Sequence, residues 1–378
     1  MCAPGIEAIC AAELAELGVR IRRTLLGGVE FGATDRQLYA ANLWSRTATR
    51  IVVRVAAFTA SSFSQLASEL TQVDWGRLIP NAATPTVRVS STASRLYHTG
   101  AIAERVAALA SPDAATRPNA GSPADQPDDN MTRDGDGPLI VVRLIHDRVM
   151  VSVDSSGAAL YQRGWRLETA KAPLRETLAA ALILASGWDR QSPLIDPLCG
   201  SGTIAIEAAL LAAGRAPGAA RRFAFMDWPS FAPGTWASVI GAPHPSEVRP
   251  SGPPPRVIAT DRDAGAIRAA KANARRAGID AHIDIHEGSL SETAPPSDTV
   301  GWLITNPPYG KRVAGGDLRD LYASIGSLAT HRLRGWVVGL LAADDRLVGH
   351  TGLPFERRLE TDNGGIAVRF VVADQRHG

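Results

Sequence analysis

The sequence predicts an α/β protein in which a doubly wound, mostly parallel sheet with a C-terminal hairpin follows a smaller α+β domain. After about residue 160, short apolar strands alternate with helical segments, a pattern typical of consecutive βαβ units. Before about residue 155, strand-like runs alternate with helices and turns. Because the chain has 378 residues and 45% of them are hydrophobic, two domains are expected, at residues 1–155 and 160–378.

In the N-terminal part, an amphipathic helix is predicted from Ile6 to Leu17, with Gly18 as its stop signal. Runs of β-branched and apolar residues predict four strands, at residues 51–55, 87–89, 139–144 and 149–153, the last two as a meander. We expect these strands to pair in an antiparallel sheet.

Two segments have the composition of loops. Residues 111–137 are rich in Ser, Pro, Asp, Ala and Gly, and Met131 is their only large apolar side chain. Such a segment cannot bury enough surface to offset the entropy of ordering, which predicts a disordered insertion. Residues 241–255, rich in Pro and Ser, predict a second loop.

In the second part, Pro173 marks the first turn of a helix whose leucines follow at helical spacing. Asp263 predicts the cap of another helix, which stops at Gly278. The other predicted elements are strands at 194–196, 257–261 and 302–305, a helix at 203–211 and a closing hairpin that turns at Asn363-Gly364. Ligands bind at the carboxyl ends of strands in such a sheet.

Composition excludes several classes of protein. The three cysteines form no CxxC pair and the eight histidines no cluster with metal-ligand spacing, so neither a disulfide framework nor a metal is expected. The net charge of +2 does not by itself indicate a nucleic-acid partner. No apolar run is long enough to span a bilayer and no signal peptide is evident, so we expect a cytoplasmic protein with no membrane partner. The oligomeric state is not indicated.

The first strand end that carries chemistry is Asp196-Pro197-Leu198-Cys199-Gly200-Ser201-Gly202-Thr203. Gly200 and Gly202 let a ligand approach the backbone closely. An acidic residue ahead of them suits a ligand with an ammonium group, such as the methionine part of S-adenosylmethionine, and would repel phosphate. A nicotinamide oxidoreductase is disfavoured because Ala205 stands where the dinucleotide fingerprint needs a third glycine, and the P-loop pattern is absent.

The second strand end is Asp261, whose carboxylate can accept hydrogen bonds from both ribose hydroxyls of a nucleoside. The alternative is that Asp261 only caps the next helix. Because Asp263 is better placed for capping, we predict a ligand contact at Asp261.

The third strand end, Asn306-Pro307-Pro308-Tyr309, is the sharpest signal in the chain. An amino group on a heteroaromatic ring is a poor nucleophile because its lone pair is delocalised, and two acceptors aimed at its hydrogens make the nitrogen more tetrahedral. The Asn306 side-chain oxygen and the Pro307 carbonyl can be these acceptors, held in place by a rigid turn. Tyr309 offers a flat face to an extruded base. Methylation at pyrimidine carbon 5 would instead need a cysteine nucleophile, and we interpret Cys199 as a packed residue.

The first and third strand ends together resemble those of the class I amino-methyltransferases. Other stretches resemble the large-subunit (23S) ribosomal RNA guanine-N2-methyltransferase family and its THUMP domain. In the second part of the chain these are Arg163-Gly164-Trp165-Arg166, Ala172-Pro173-Leu174-Arg175-Glu176 and residues 219–228; in the first part they are Tyr39-Ala40-Ala41-Asn42-Leu43-Trp44-Ser45-Arg46 and Val153-Asp154-Ser155-Ser156-Gly157. The resemblance covers nearly the whole chain except the insertion.

This resemblance implies a ferredoxin-like plus THUMP domain that captures structured RNA, joined to a Rossmann-like class I methyltransferase domain that uses S-adenosyl-L-methionine. It implies that the cofactor is held at its methionine end by Asp196, Gly200, Ser201, Gly202 and Thr203, and at its ribose by Asp261, and that the target base is held by Asn306, Pro307, Pro308 and Tyr309.

One position departs from the family. Where the family has an aspartate near the adenine of the cofactor, this chain reads His286-Glu287-Gly288-Ser289. Either Ser289 accepts the adenine amino hydrogen, or the contact is absent. A second, C-terminal methyltransferase half that is fused to some relatives is not expected here.

The leading hypothesis is direct methyl transfer to N2 of a guanine in ribosomal RNA, without a covalent enzyme intermediate. A guanine of tRNA is the first alternative, and an adenine-N6 methyltransferase, which shares the Asn306–Tyr309 signal, is the second. Outside the enzymes, an RNA-binding assembly factor is possible on the same scaffold. Arg46, Arg50 and Arg54 are candidates for contacts with RNA phosphates.

Overall fold

The computed structural model describes residues 1–81, 83–111, 137–167, 174–244, 255–296, 299–309 and 318–376. Almost all of the predicted disordered insertion, the helix start predicted at Pro173 and most of the predicted loop at 241–255 lie outside the described residues. Contacts group the chain into two compact units, one of Met1, Arg50–Leu160 and Arg222–Gly241, and one of Cys2–Thr49, Tyr161–Arg221 and Ala242–Gly378.

The helices and strands of the described residues follow one another along both units. In chain order they are α1 (Glu7–Glu16), β1 (Arg20–Leu25), β2 (Gly28–Gly32), α2 (Asp35–Trp44), β3 (Val52–Thr59), α3 (Phe63–Leu70), β4 (Thr86–Thr92), α4 (Thr99–Ala110), β5 (Leu139–Ile145), β6 (Arg148–Asp154), α5 (Glu176–Ala185), β7 (Leu194–Asp196), α6 (Thr203–Ala212), α7 (Pro233–Ile240), β8 (Val257–Asp261), α8 (Ala264–Arg276), β9 (Ile283–Glu287), β10 (Trp302–Thr305), α9 (Leu318–His331), β11 (Val337–Ala342), α10 (Asp345–Gly349), β12 (Glu356–Asp362) and β13 (Ala367–Asp374).

The first unit is built on a four-stranded sheet with the order β3-β6-β5-β4. Strand β6 pairs antiparallel with both β3 and β5, whereas β4 and β5 pair in parallel. The prediction of an antiparallel sheet is therefore wrong for the pair β4–β5. The chain between them contains α4, and a connection that includes a helix returns the chain to the edge from which it started, so that the next strand runs parallel.

One face of this sheet forms the core of the first unit. Alternate residues of β5 and β6 are at most 1% exposed: Ile140, Val142, Leu144, Val149, Val151 and Val153. Helices α3 and α4 pack on the sheet and bury Leu66, Leu70, Ile102 and Val106. Because side chains alternate across a strand, the intervening residues of β5 and β6 point to the opposite face.

The second unit contains a seven-stranded sheet with the order β12-β13-β11-β10-β7-β8-β9. The strands from β7 to β11 are parallel, and β13 pairs antiparallel with both β11 and β12. This confirms the predicted doubly wound, mostly parallel sheet with a C-terminal hairpin. The strand order reverses at β7, which has β8 on one side and β10 on the other, so a crevice opens at the carboxyl ends of these strands.

The second unit also includes the N-terminal residues Cys2–Thr49. They contain α1, α2 and the antiparallel pair β1–β2. Gly5 approaches β12 so closely that a Cβ there would lie 1.7 Å from the Glu360 carbonyl oxygen. Contacts group Cys2–Thr49 with the second unit and Arg222–Gly241 with the first, so the compact units do not follow a single division of the chain. The domain boundary near residues 155–160 remains a prediction.

No helix among the described residues is both long enough and apolar enough to cross a membrane.

Candidate active site

The first part of the candidate site is the glycine turn between β7 and α6. The Gly202 N–H donates to the Cys199 carbonyl across 2.8 Å, and the Cys199 N–H donates to the Thr260 carbonyl at the end of β8 across 2.9 Å. Gly202 has a φ of 84°, and a Cβ there would lie 3.0 Å from the Ala270 Cβ. A side chain at position 202 would therefore be strained and crowded at once, which explains the glycine.

Asp196, at the end of β7, is a buried carboxylate that is 1% exposed. Its Oδ1 accepts a hydrogen bond of 2.6 Å from the Thr305 hydroxyl and one of 3.3 Å from the Leu198 N–H. Burial, with a smaller contribution from the neighbouring Asp261 carboxylate, raises the pKa of Asp196 to about 7. A cationic ligand would favour the ionised form of Asp196, as the predicted contact with an ammonium group requires.

Asp261, at the end of β8, connects two loops. Its Oδ2 accepts a 2.9 Å hydrogen bond from the Gly200 N–H, and its Oδ1 accepts one of 3.0 Å from the Asp263 N–H. A carboxylate oxygen can accept more than one hydrogen bond, so these bonds leave capacity for ligand hydroxyls. The cap of α8 is Asp263, which accepts from the Gly265 and Ala266 N–H groups, so capping does not account for Asp261.

Ser289 follows β9, and its hydroxyl takes part in a local cap. It forms a reciprocal capping box with Glu292 on a 3₁₀ turn and lies 2.9 Å from the Ser291 hydroxyl. The Glu292 carboxylate accepts from both the N–H and the hydroxyl of Ser289, and these bonds lower the pKa of Glu292. A contact with the adenine ring would have to compete with this cap, so the role predicted for Ser289 remains a prediction.

The third part of the site directly follows β10. The side-chain oxygen of Asn306 is buried and has no hydrogen-bond partner among the described residues. Pro307 is buried, Pro308 is exposed and Tyr309 is half-buried. The Tyr309 hydroxyl accepts a 2.5 Å hydrogen bond from the side-chain amide of Asn363. A buried acceptor without a donor is rare in proteins and fits a site that receives a donor from a ligand.

The sheet brings most of the predicted site residues together. Asp196 and Asp261 are the last residues of β7 and β8, and Asn306 directly follows β10; these three strands are neighbours in the sheet. Ser289 follows β9 at the edge beyond β8. Cys199 is buried, and this burial raises the pKa of its thiol well above the ordinary value, so it is a packed residue and no nucleophile.

The sequence did not reveal the residues that support the glycine turn. Arg166 donates to the Thr203 hydroxyl across 2.9 Å and pairs with Glu176 at 3.1 Å. The Asn273 amide donates to the Ser201 carbonyl across 3.1 Å. Burial raises the pKa of Glu176 to about 7. In the sequence, only the stretch around Arg166 pointed to these supporting residues, because it resembles the family. That resemblance does not indicate the hydrogen bonds.

Two arginines predicted to contact phosphate are part of the protein interior. Arg46 is 5% exposed and lies 3.8 Å from Glu207, and burial lowers its pKa to about 10. Arg50 is 2% exposed and pairs with Asp154 at 2.7 Å. The prediction that these two side chains contact RNA is therefore wrong, because each is buried against a carboxylate. Arg54 is exposed.

The residues at the three strand ends fit S-adenosylmethionine. The buried carboxylate of Asp196 and the half-buried carboxylate of Asp261 accept hydrogen bonds, as the ammonium group and ribose hydroxyls of that cofactor require. Among the described residues, no group of three or more side chains could hold a metal ion.

The sheet order and the chemistry of its strand ends define an S-adenosylmethionine-dependent methyltransferase. Residues 163–366, more than half of the chain, match the family model described as the RMKL-like methyltransferase domain, and residues 1–52 match the RlmL ferredoxin-like domain. The chain belongs to this RMKL-like methyltransferase family. The predicted family, fold and cofactor are thereby confirmed.

Individual relatives agree with this assignment. The chain is 34% identical over 386 residues to the ribosomal RNA large subunit methyltransferase K/L of Syntrophotalea carbinolica, covering 98% of this chain but 53% of that protein. It is 33% identical over 369 residues to a protein of Synechocystis that is provisionally named an RNA methyltransferase, covering 96% and 93% of the two chains. The chain thus spans about half the length of the K/L relatives.

A crystal structure of SMU.472, provisionally named a methyltransferase and solved with S-adenosylhomocysteine, superposes with a TM-score of 0.84. The two chains are 28% identical, and the match covers 100% of this chain and 97% of the other.

Proposed function

We propose that this protein transfers the methyl group of S-adenosylmethionine to the N2 amine of a guanine in RNA, and specifically in large-subunit ribosomal RNA. The observation that carries the proposal is the buried side-chain oxygen of Asn306, which has no hydrogen-bond donor within the described residues. Asn306 directly follows β10, the strand that pairs with β7, and β7 ends at Asp196. The names of the K/L relatives support ribosomal RNA as the substrate.

The turn after β10 supplies what an exocyclic amine needs. The Asn306 oxygen and the Pro307 carbonyl accept the two amine hydrogens, which directs the nitrogen lone pair away from the purine ring. When bound, the cofactor supplies an electrophilic methyl carbon. The amide oxygen of Asn306 is too weak a base to keep the proton that the methylated amine releases, so this proton passes to water. Positioning and desolvation therefore account for most of the rate.

Tyr309 has a separate role, which is to orient the target base by stacking on its ring. A base must leave the helical stack before its amine can reach a buried acceptor, and stacking on an aromatic ring offsets part of that cost. The hydrogen bond from Asn363 holds the Tyr309 ring from its hydroxyl end. The prolines on either side of the turn's centre restrict the backbone, so the ring and the Asn306 oxygen keep a fixed relationship.

A tRNA guanine and an adenine-N6 amine remain the alternative substrates, because Asn306 and Tyr309 would serve either base. A variant that lacks residues 1–155 would not distinguish adenine-N6 from guanine-N2 methylation. The deletion would also remove Cys2–Thr49, which belongs to the same compact unit as the strand ends. The products have to be identified directly.

The test is methyl transfer from labelled cofactor to unmodified large-subunit ribosomal RNA and, separately, to unmodified tRNA, followed by digestion to nucleosides and mass analysis. The expected product is N2-methylguanosine in the ribosomal sample alone. Asn306→Ala should abolish it while cofactor affinity stays within about twofold, and the exposed Asn81→Ala is the matched control that should keep full activity. Methylated adenosine, or label in tRNA alone, would overturn the substrate. No label together with no cofactor binding would favour the assembly factor.

A further inference from the structure

One hydrogen bond joins the two strand ends at which the cofactor and the target base are expected to bind. The Thr305 hydroxyl donates to Oδ1 of Asp196 across 2.6 Å. Both side chains are at most 1% exposed, so little water can compete for this bond. Strands β7 and β10 pair in parallel with Leu303 opposite Ile195. This pairing places the last residues of the two strands side by side, so the sheet itself fixes the contact.

Other buried threonine hydroxyls of the same unit lack such a bond. Thr260, one residue before the end of β8, and Thr361, in β12, have buried hydroxyls that form no hydrogen bond with the described residues. A β-branched side chain suits a strand whether or not its hydroxyl is used. The bond from Thr305 to Asp196 is therefore not a general consequence of placing threonine in a strand.

The bond acts on the protonation of Asp196. A donated hydrogen bond stabilises an ionised carboxylate, so the Thr305 hydroxyl lowers the pKa of Asp196, against the burial that raises it to about 7. The titratable groups near Asp196 within the described residues are Asp261 at the end of β8, which raises this pKa, and the Cys199 thiol in the glycine turn, which stays neutral because burial raises its own pKa. Of these side chains, only Thr305 favours the ionised form of Asp196.

The two hydrogen bonds that Asp196 accepts leave one of its oxygens for a ligand. Thr305 and the Leu198 N–H both donate to Oδ1, so Oδ2 keeps its capacity for the predicted ammonium contact. A cationic ligand favours the ionised carboxylate, and a hydrogen bond to an ionised group is about twice as strong as one between neutral groups. Cofactor binding should therefore strengthen the bond from Thr305.

The same threonine sets the position of the predicted acceptor for the target amine. Asn306 follows Thr305 directly, so their Cα atoms are about 3.8 Å apart. Because Pro307 comes next, steric contacts restrict the backbone of Asn306 largely to extended conformations. A firm hold on Thr305 therefore leaves the buried Asn306 oxygen little freedom to move.

We propose that Thr305 is a positioning residue that couples the two binding steps, so that the cofactor and the target base bind more tightly together than either does alone. The proposal rests on the proposed function, because the target amine at Asn306 comes from there. Linkage makes such coupling reciprocal: bound cofactor raises the affinity for the RNA by the same factor as bound RNA raises the affinity for the cofactor.

The first test is the pH dependence of S-adenosylhomocysteine binding to the full chain, measured by calorimetry between pH 5.5 and pH 9. Thr305→Val keeps the shape of the side chain and removes the hydroxyl, so the midpoint should move to higher pH by about one unit. Thr305→Ser keeps the hydroxyl and should keep the wild-type midpoint. The matched control is Thr361→Val, which removes a buried hydroxyl without a partner among the described residues and should also keep the midpoint. A merely structural role of Thr305 would lower Tm and leave the midpoint unchanged.

The second test measures the coupling itself at pH 7. Affinity for unmodified large-subunit ribosomal RNA, transcribed in vitro, is determined with and without saturating S-adenosylhomocysteine, which binds without reacting. In the wild type, Thr305→Ser and Thr361→Val, the nucleoside should raise RNA affinity by at least about fivefold. In Thr305→Val the increase should fall below about twofold.

If Thr305→Val does not fold, as judged by Tm, Thr305→Ala removes the same hydroxyl and replaces it. Coupling in the variant equal to that of the wild type overturns the proposal, whatever the midpoint. If the wild type forms N2-methylguanosine in ribosomal RNA but shows no coupling, only the role of Thr305 is wrong. If the wild type neither binds nor methylates RNA, the proposed function and the coupling fail together, and the midpoint of Thr305→Val still shows whether Thr305 controls the ionisation of Asp196.

Discussion

The side-chain amide of Asn363 donates a hydrogen bond to the phenol oxygen of Tyr309 across 2.5 Å, although the two residues are 54 positions apart. Asn363 belongs to the turn between β12 and β13, and Tyr309 lies four residues after the end of β10. Burial raises the pKa of Tyr309, so the phenol stays neutral. This bond makes Asn363 a positioning residue for the ring that is expected to stack on the target base.

Replacing Asn363 should therefore slow methyl transfer without weakening cofactor binding. We expect Asn363→Ser to lower kcat by about tenfold, equivalent to about 1.4 kcal/mol in the activation free energy, because the ring can then leave its stacking orientation. Single-turnover rates and calorimetric cofactor affinity measure the two effects separately. Tyr309→Phe removes the acceptor of the same bond, so the double variant should be no slower than the slower single variant. Losses that simply multiply would show that the two residues act independently.

The raised pKa of Asp196 predicts a pH dependence of cofactor binding. The ionised carboxylate is the form that holds an ammonium group, and its pKa lies at about 7 before binding. Below pH 7 the ionised fraction falls about tenfold per pH unit, so cofactor affinity should fall with the same slope. Calorimetry between pH 5.5 and pH 8.5 measures this directly. Asp196→Asn should bind weakly with a flat profile, and an equally steep profile in that variant would assign the titration to another group such as Glu176.

The same carboxylate should cost stability when no ligand is bound. Its folded-state pKa of about 7 is above its ordinary value of 3.8, so the native state binds more protons than the unfolded state between these values. Unfolding free energy should then decrease as pH rises from 4 to 7, by up to a few kcal/mol from this group. Asp196→Asn removes the charge and should raise Tm at pH 8 while changing it little at pH 5. An Asn variant that is less stable at both pH values would contradict this.

How far the sequence predicted the fold depended on whether the signal was local. The strands at 257–261 and 302–305 were predicted with the bounds that the structure has, because they are short apolar runs bounded by polar residues. The parallel pairing of β4 with β5 was missed, since it depends on the path of α4 and on distant contacts. Register and pairing direction are properties of two segments together, which no single run encodes.

The same distinction holds for the site. Asp196, Asp261 and Asn306 could be proposed as site residues from the sequence because each ends a strand or directly follows one, and the ends of parallel strands meet at one edge of the sheet. Thr305 and Asn363 could not, because their importance lies in hydrogen bonds to residues 109 and 54 positions away. Hydroxyl and amide side chains are common at strand ends and turns for local reasons, so their type alone carries little information.

Gly202 should be necessary for two separable reasons, its positive φ and the approach of Ala270. Gly187 has a similar φ of 71°, but a Cβ added there would have no neighbouring atom within 4 Å, so it is the matched control. Gly187→Ala should lower the unfolding free energy by about 1–2 kcal/mol, the cost of a left-handed side chain. Gly202→Ala should cost clearly more and should also weaken cofactor binding, because the glycine turn must shift. Urea unfolding measures the stability of the two variants, and titration with the cofactor measures their affinity for it. Equal effects of Gly187→Ala and Gly202→Ala would mean that the contact with Ala270 is unimportant.

Arg50 allows a direct choice between a structural role and the RNA contact that its sequence position suggested. The Arg50 guanidinium lies 2.7 Å from the Asp154 carboxylate, and both side chains are at most 2% exposed. Burial already raises the pKa of Asp154 even with Arg50 present. Arg50→Met should therefore lower the unfolding free energy by about 3–5 kcal/mol at pH 8, because it leaves a buried charge without its partner. The loss should shrink as pH falls and Asp154 becomes protonated, and Arg50→Met/Asp154→Asn should recover much of the stability. If Arg50 has only a structural role, the stable double variant will bind ribosomal RNA like the wild type. Weak RNA binding by a stable double variant would instead show that Arg50 contacts RNA.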